Sequence, residues 1–383
     1  TAQIVSDDPS YQYYVTPESA TTYPTRIVGR DPRSGLAVLQ VVDATGAPIP
    51  LTDSGCTEIS FTDSPDPPTP GTFVLLMSNP LCAARDGTLS ASWGIVANTR
   101  RPDAPQPSAD IPSGRRTLAQ YGTLLSTDIP MITGREGGPL ADLPGRCIGT
   151  VVAMETLPGV TSSESYAIPV DPIFRRALRQ LREGYEVGYG FLGVEMKDSR
   201  DGVRIQRILR GVPAESAGLR TGDYIISIEE TPVTGAQDVV RRTSWYEPDA
   251  VVPITVRREN EPEPVLIHVP LIRLPVPGQI VTRRPEAWRG MEIAASTIVD
   301  PGIARGMGRY HSGAVITRVD EFSPSQEAGL QRGMIITAIG DQPVMNPGDF
   351  YRITETLSPE SDVTLRITAA DSQSVLRTVT GKK

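Results

Sequence analysis

Residues 211–223 read GVPAESAGLRTGD, and the related stretch FSPSQEAGLQRGM follows 111 residues later at 322–334. Each copy opens a short helix with a proline, Pro213 or Pro324, whose fixed φ suits the first helical position. Gly218 and Gly329 stand where that helix ends, because glycine adopts the left-handed conformation of a helix cap without strain. The self-similarity predicts a duplicated domain.

The elements around each copy follow one order: a strand, the short helix, a second strand, a longer helix and a closing strand. In the first copy we predict these elements at Val203–Ile208, Pro213–Ala217, Tyr224–Ile228, Gln237–Thr243 and Val252–Arg257. In the second copy they are Val315–Val319, Pro324–Ala328, Ile335–Ile339, Pro347–Leu357 and Asp362–Thr368. This order resembles the circularly permuted PDZ domain of bacteria, over residues 188–273 and 288–383. The alternative is another small β-rich duplicated module.

The PDZ resemblance implies binding by strand addition, with loop N–H groups that capture a terminal carboxylate. The first copy has Phe191-Leu192-Gly193-Val194 at the position of the family's carboxylate loop. Val239 and Val240, on the longer helix, are the expected opposite wall of the groove. The second copy has Arg289-Gly290-Met291, a poorer match, and Met334 stands where the first copy has Asp223. We therefore expect the second copy to serve in packing or docking.

Upstream of the repeat, residues 1–170 contain short predicted strands and long proline-rich loops, a pattern typical of an antiparallel barrel. Val170–Glu183 reads as an amphipathic helix that begins at Asp171-Pro172 and ends before Gly184. Residues 274–287 carry Pro275, Pro277 and Pro285 and are expected to form a semi-extended spacer between the two modules.

Three stretches in this N-terminal part resemble the trypsin-fold proteases of the HtrA/Deg family. They are Gly134-Arg135-Glu136-Gly137-Gly138-Pro139-Leu140, Gly29–Leu39 (GRDPRSGLAVL) and Ser126-Thr127-Asp128. The resemblance implies a mainly β protein with a trypsin-like antiparallel barrel domain followed by two PDZ domains, the barrel being reduced or incomplete at its N-terminus. The implied boundaries are 1–170 for the protease-homology domain, 171–187 for a linker helix, 188–273 and 288–383 for the PDZ domains, and 274–287 for the linker.

A serine protease needs a hydroxyl nucleophile, an imidazole base and an orienting carboxylate. By the resemblance, Glu136 stands at the nucleophile position and Gly35 at the carboxylate position. The two histidines, His268 and His311, both fall in the PDZ copies. We therefore predict no catalytic residues, no enzymatic activity, and an oxyanion-type loop at Gly134–Gly137 that holds the Glu136 carboxylate as a trapped anion.

The sequence-based hypothesis is thus a catalytically inactive HtrA-like scaffold that binds C-termini or extended segments of other proteins, in protein quality control of the bacterial periplasm or cell envelope. The alternative is an active HtrA-type serine endopeptidase that degrades misfolded proteins, with a mis-registered or upstream catalytic residue. A third reading is a regulatory partner that co-assembles with an active homologue, and a homotrimer is implied by the family. No cofactor or metal site is expected.

Composition narrows the classes of function. Of the 383 residues 39% are hydrophobic and 21% charged, enough for globular cores, and the net charge of −8 argues against a nucleic-acid-binding face. No apolar run reaches the length of a membrane span. The cysteines Cys56, Cys82 and Cys147 do not have a metal-ligand spacing, so one disulfide with one thiol and three separate thiols both stay open.

Overall fold

The computed structural model describes residues 1–381 apart from 3, 6–9, 18–20, 51–55, 65–67, 80–87, 102–116, 153–162, 210–211, 260, 275, 277–278, 283–286, 295–312, 345–346 and 369–373. The chain divides into two compact units. The first comprises Thr1–Val187 and Val276–Arg284, and the second comprises Gly188–Pro275 and Pro285–Lys383. Strands dominate both units, which confirms the predicted mainly β class.

The first unit contains a small sheet and a closed barrel. The sheet is formed by β1 (Tyr13–Val15), β2 (Tyr23–Asp31), β3 (Leu36–Val41) and a late strand described below. The barrel has the order β4-β5-β6-β9-β8-β7, with β4 (Phe73–Ser78), β5 (Ser90–Arg101), β6 (Leu124–Thr127), β7 (Pro139–Asp142), β8 (Cys147–Val152) and β9 (Ser165–Pro169). A 3₁₀ turn, Leu118–Tyr121, precedes β6.

Buried and exposed residues alternate along the strands, and the buried ones form the barrel core. On β4 the buried residues are Val74, Leu76 and Ser78, while Phe73 and Met77 point outward. Val74 and Leu76 meet Val96, Leu125, Leu140 and Val151 in one cluster of fully buried side chains. The period-2 pattern visible in the sequence therefore determines which face of each strand turns inward.

The predicted helix forms as α1 (Pro172–Arg182), and Asp171 begins it as forecast, because the carboxylate accepts a hydrogen bond from Phe174 N at 2.7 Å. The helix packs against β2 and β3. Close packing is visible at Gly29, where an added Cβ would lie 2.8 Å from a Leu181 methyl group.

The second unit holds the two repeat copies. The first is built from β10 (Gly190–Phe191), β11 (Val194–Ser199), β12 (Gly202–Ile208), α2 (Pro213–Ser216), β13 (Tyr224–Ile228), β14 (Thr231–Pro232), α3 (Ala236–Thr243), β15 (Val251–Arg257), β16 (Val265–Pro270) and β17 (Ile272–Arg273). The sheet order is β11-β12-β13-β15-β16, with β14 paired to β13, so β11 is an edge strand.

One strand interrupts this succession. β18 (Ile280–Val281) lies in the stretch predicted as a spacer, but it belongs to the first unit, where it pairs with β2. Ile280–Val281, within the predicted spacer, is therefore a strand of the small sheet rather than a free connection.

The second copy repeats the topology with β19 (Met291–Ala294), β20 (Ala314–Val319), α4 (Pro324–Glu327), β21 (Ile335–Ile339), β22 (Gln342–Pro343), α5 (Pro347–Glu355), β23 (Val363–Thr368) and β24 (Ser374–Val379). Its sheet order is β19-β20-β21-β23-β24, so β19 occupies the edge position of β11. Gly218 (φ +105°) and Gly329 (φ +73°) both end their short helices in the positive-φ region.

Candidate functional site: a peptide groove and a protease-type loop

The carboxylate loop of the first copy joins β10 to the edge strand β11. Phe191 is paired with Ile272, Leu192 is buried, and Gly193 has φ +74°. The Gly193 carbonyl accepts a hydrogen bond from Leu209 N at 2.9 Å, and an added Cβ at Gly193 would lie 3.0 Å from Val212. Glycine is therefore required here by both conformation and space.

Helix α3 lies against β10 and β11 and forms the other side of the groove. Val239 is fully buried in the core of the domain, whereas Val240 is half-buried. Of the two predicted wall residues, Val240 is thus the one with surface to offer a ligand.

Asp198, near the end of β11, connects this strand to α3. Its Oδ1 accepts a hydrogen bond from Ala236 N at 2.6 Å, which ties the edge strand to the first turn of α3. This contact was not predicted, because a single aspartate in a strand carries no signal of its partner 38 residues away.

Three charged residues of α3, Asp238, Arg241 and Arg242, interact with one another. Asp238 is buried and accepts hydrogen bonds from Thr234 N at 3.1 Å, from Arg242 Nε at 3.1 Å and from the Arg241 guanidinium. Burial opposes the charged form of Asp238, but the hydrogen bonds from Arg242, Thr234 and Arg241 outweigh it and hold the pKa below its ordinary range. Arg241 also lies over the Trp245 ring at 5.2 Å.

The matching loop of the second copy, Arg289-Gly290-Met291, makes hydrogen bonds within its own domain. Arg289 is buried, donates to Val379 O at 2.7 Å, and lies over the Trp288 ring at 4.6 Å. Met291 N donates to Trp288 O at 3.0 Å, and the Arg289 carbonyl accepts from the Ser325 hydroxyl at 2.8 Å. A carboxylate at this loop would compete with these internal bonds.

The edge strand of the second copy is also engaged. The hydroxyl of Tyr351, on α5, accepts a hydrogen bond from the backbone N–H of Ile293 on β19. Burial raises the pKa of Tyr351, and the Ile293 bond opposes that rise. In the first copy the helix carries Val240 instead of a phenol, and the hydrogen bond between helix and edge strand is made by Asp198 and Ala236 N instead.

In the first unit, Gly134–Leu140 forms a compact loop before and into β7. Gly134 N donates to Glu136 Oε2 at 2.8 Å, Gly138 N donates to Arg135 O at 3.1 Å, and Gly137 N donates to Val151 O at 2.8 Å. The Glu136 side chain thus turns back onto the loop that carries it, and its carboxylate occupies the Gly134 donor.

Arg135 fixes the loop to the barrel. Its guanidinium donates to Ser92 Oγ at 2.9 Å and to the Pro130 carbonyl, and burial lowers its pKa. An exposed arginine would lie free in solvent; this one holds the start of the loop in place.

The other positions that the family pattern marks make hydrogen bonds within the first unit. Gly35 has φ +76° and its carbonyl accepts from Ala2 N at 2.7 Å. The nearby carboxylate of Asp31 is buried and accepts from Ser34 N at 2.9 Å. Asp128 Oδ1 accepts from Ile95 N at 2.7 Å.

The remaining polar candidates are dispersed. His268 is exposed on β16, and His311 lies outside the described residues. Cys56 is an exposed thiol, Cys147 a buried one whose pKa is raised by burial, and Cys82 lies outside the described residues. Within the described ranges, no helix is long and apolar enough to cross a membrane, and no cluster of metal-ligand side chains forms.

Comparison with known proteins agrees with this arrangement. Residues 1–149 match the trypsin-like peptidase domain, and residues 190–269 and 315–369 each match a PDZ domain. The structure resembles that of the HtrA-type protease AlgW with a decapeptide (TM-score 0.51, 22% identity, 70% of this chain and 77% of that one). It also resembles AlgW with a tripeptide (TM-score 0.52, 22% identity, 70% of this chain and 82% of that one), and both likenesses show the fold.

The chain therefore joins a trypsin-like peptidase domain to two PDZ domains. It shares 25% identity over 366 residues with the probable periplasmic serine endoprotease DegP-like of Rhizobium meliloti, covering 91% of this chain and 66% of that protein. The protein of the same name from Marinomonas sp. is 26% identical over 357 residues, covering 90% of this chain and 69% of that protein. The chain is thus similar to HtrA/DegP-type proteins in its order of domains, and it spans about two thirds of these relatives' length.

The names of these relatives correct one prediction. All of them are called serine endoproteases, which contradicts the prediction that this chain is not an enzyme. That prediction rested on the differences from the family pattern at residues 35 and 136. Differences at two loop positions do not determine whether the whole chain is active.

Proposed function

We propose that this chain binds the C-termini or extended segments of other proteins in the bacterial periplasm, through the groove between β11 and α3 of its first PDZ domain. The single observation that carries the proposal is the edge strand β11, with the Gly193 loop at its start. The contrast with the second copy supports it, because there the loop and the edge N–H of Ile293 have internal partners.

The physical basis is strand addition. A ligand strand would pair with β11, its terminal carboxylate would lie near the backbone of Leu192-Gly193-Val194, and its last side chain would contact Val240. Main-chain hydrogen bonds supply affinity for many sequences, and the pocket for the last side chain supplies selectivity. This combination suits a protein that meets many partially unfolded clients.

Serine endopeptidase cleavage of captured, misfolded polypeptides is the second candidate function, and the names of the relatives favour it. Cleavage needs a hydroxyl nucleophile with an imidazole base. Because Glu136 stands in the loop and its carboxylate is bonded to Gly134 N, we expect the reacting serine and its base at positions that the family pattern does not align.

The binding proposal is tested with a library of peptides that have free C-termini, applied to the whole chain. Gly193→Val sets a branched side chain against Val212, and we expect at least a tenfold loss of affinity. Gly222→Ala is the matched control, since Gly222 also has positive φ (+98°) but has no heavy atom within 4 Å of an added Cβ. Equal binding by both variants would contradict the groove assignment.

The cleavage proposal is tested with unfolded casein and a fluorophosphonate probe. Cleavage together with labelling of one serine, identified by peptide mapping, would support an endopeptidase and locate its nucleophile. If casein stays intact and no serine is labelled, the cleavage proposal fails while the binding proposal stands on its own assay.

We also propose an assembly state for the protein. Self-association as a homotrimer, or co-assembly with a homologous protein, follows from the family resemblance alone. Sedimentation equilibrium of the chain, alone and mixed with a homologue, measures it.

A further inference from the structure

Part of the segment between the PDZ copies pairs as a strand with the sheet of the first unit. Ile280 of β18 pairs with Arg30 of β2, and Val281 pairs with Gly29. Just beyond the strand, Thr282 Oγ1 donates to Val28 O at 3.0 Å. These contacts lie in residues that are about 250 positions apart in the chain, so they arise from tertiary structure alone.

A second anchor precedes the strand. The side-chain amide of Gln279 accepts from Val187 N at 2.9 Å and donates to Val187 O at 3.0 Å. This two-way bond reproduces with one side chain the exchange that a backbone pair makes in an antiparallel sheet. The described part of the segment is therefore held at both ends.

The geometry of β2 shows where the segment sits. One edge of β2 pairs with β3 from Thr25 to Asp31. The opposite edge pairs with β1 at Tyr23–Thr25 and with β18 only at Gly29–Arg30. Between those two short pairings, residues 26–28 of this edge have no strand partner among the described elements.

We propose that this edge of β2, from Arg26 to Arg30, is a second binding site for extended polypeptide, which β18 occupies in cis. A strand edge presents a row of N–H and C=O groups and binds any chain that can adopt the extended conformation. The last residue of the site, Arg30, lies five residues before Gly35, and Gly29 and Arg30 belong to the stretch that resembles the family pattern.

Only two residue pairs join β18 to β2, so exchange of this strand with another chain is feasible. A longer ligand strand could pair along residues 26–30 and would make more main-chain hydrogen bonds than β18. β18 can nevertheless compete with such a ligand, because it is tethered to β2 through the chain. A tethered strand acts at an effective concentration of roughly millimolar.

The first part of the test removes the side-chain anchors in the whole chain. The double variant Gln279→Ala, Thr282→Val should exchange its amides in peptic fragments covering 26–31 at least about fivefold faster than the wild type. Thr364→Val, which loses only a hydroxyl contact with Thr378, is the matched control and should leave these fragments unchanged. Unchanged exchange in the double variant would overturn the proposal.

The second part supplies the ligand in trans. A peptide of residues 276–284 in which Pro277 and Gly278 are changed to alanine, with a benzophenone label and an amidated C-terminus, is added to the double variant. Because it lacks a free carboxylate, its binding is separate from carboxylate capture by the first PDZ domain, and Gly193→Val should not affect it. We expect restored protection of 26–31 and cross-links to β2. Cross-links confined to β11, or none, would contradict the β2 site.

Discussion

The hydroxyl of Tyr351 on α5 accepts a hydrogen bond from the N–H of Ile293 on β19, across the groove where a PDZ ligand strand would pair. We predict that Tyr351→Phe speeds amide exchange at Ile293 while the ring still covers the groove. Tyr351→Ala should, in addition, admit a peptide strand to β19, detected by cross-linking. Arg352→Ala, on the same helix and exposed, is the control. Exchange at Ile293 that is equal in the wild type and Tyr351→Phe would contradict the contact.

The bond from Gly134 N to Glu136 predicts the behaviour of the protease-type loop. Glu136→Ala leaves the donor without its charged acceptor and should lower the free energy of unfolding of the first unit by about 1 kcal/mol. Glu136→Gln keeps an oxygen acceptor and should lose less. Thermal denaturation measures both, with Glu58→Ala at an exposed site as control; equal losses for Ala and Gln would count against the bond.

The repeat motif contains a buried ion pair in the first copy. Arg258 donates to Asp223 Oδ1 at 2.9 Å, and both side chains are nearly enclosed. Asp223→Asn removes the buried one of two carboxylates that pair with Arg258, since Glu261 is also bonded to it at 3.1 Å, and should destabilise the domain by about 2–3 kcal/mol. The exposed pair of Arg257 and Asp201 provides the comparison, because Asp201→Asn should cost no more than about 1 kcal/mol. Similar denaturant midpoints for the two variants would refute the difference.

The pKa of Asp238 predicts an acid transition. Because this pKa is held below its ordinary range, the folded state gains stability from Asp238 above the unfolded pKa of about 3.9 and loses it as the pH falls through the lower folded value. The first PDZ domain should therefore unfold more readily below about pH 4. In Asp238→Asn this part of the pH dependence should vanish; a denaturation series that shows the same acid slope in both proteins would be inconsistent with it.

Much of the fold could be predicted because its signals are local. Short runs of apolar residues predict β13 (Tyr224–Ile228) and β21 (Ile335–Ile339) at their observed bounds, and prolines predict the first residues of α2 and α4. Helix α1 was placed by Asp171-Pro172 and Gly184, whose effects act within one turn. The assignment of Phe191–Val194 as a carboxylate loop came from the PDZ resemblance and stays a prediction, and Gly193 has the positive φ that glycine adopts without strain.

The groove walls could be predicted only in part. Val239 and Val240 are adjacent and equally apolar, so the sequence alone does not separate the residue that packs into the core from the one at the surface. The contact of Asp198 with Ala236 N, and that of Tyr351 with Ile293, join elements that are distant in sequence and need the sheet and helix to be packed first.

The amino-acid sequence by itself determined the duplicated PDZ pattern and the barrel upstream, because repeats and periodicity are properties of the linear chain. Only the tertiary structure decided that the Gly134 N–H is occupied by Glu136, that the second groove is bridged by Tyr351, and that Ile280–Val281 is a strand of the first unit. Hydrogen bonds between distant segments depend on which strand edges and N–H donors are brought together by folding. A local sequence pattern contains no information about these contacts.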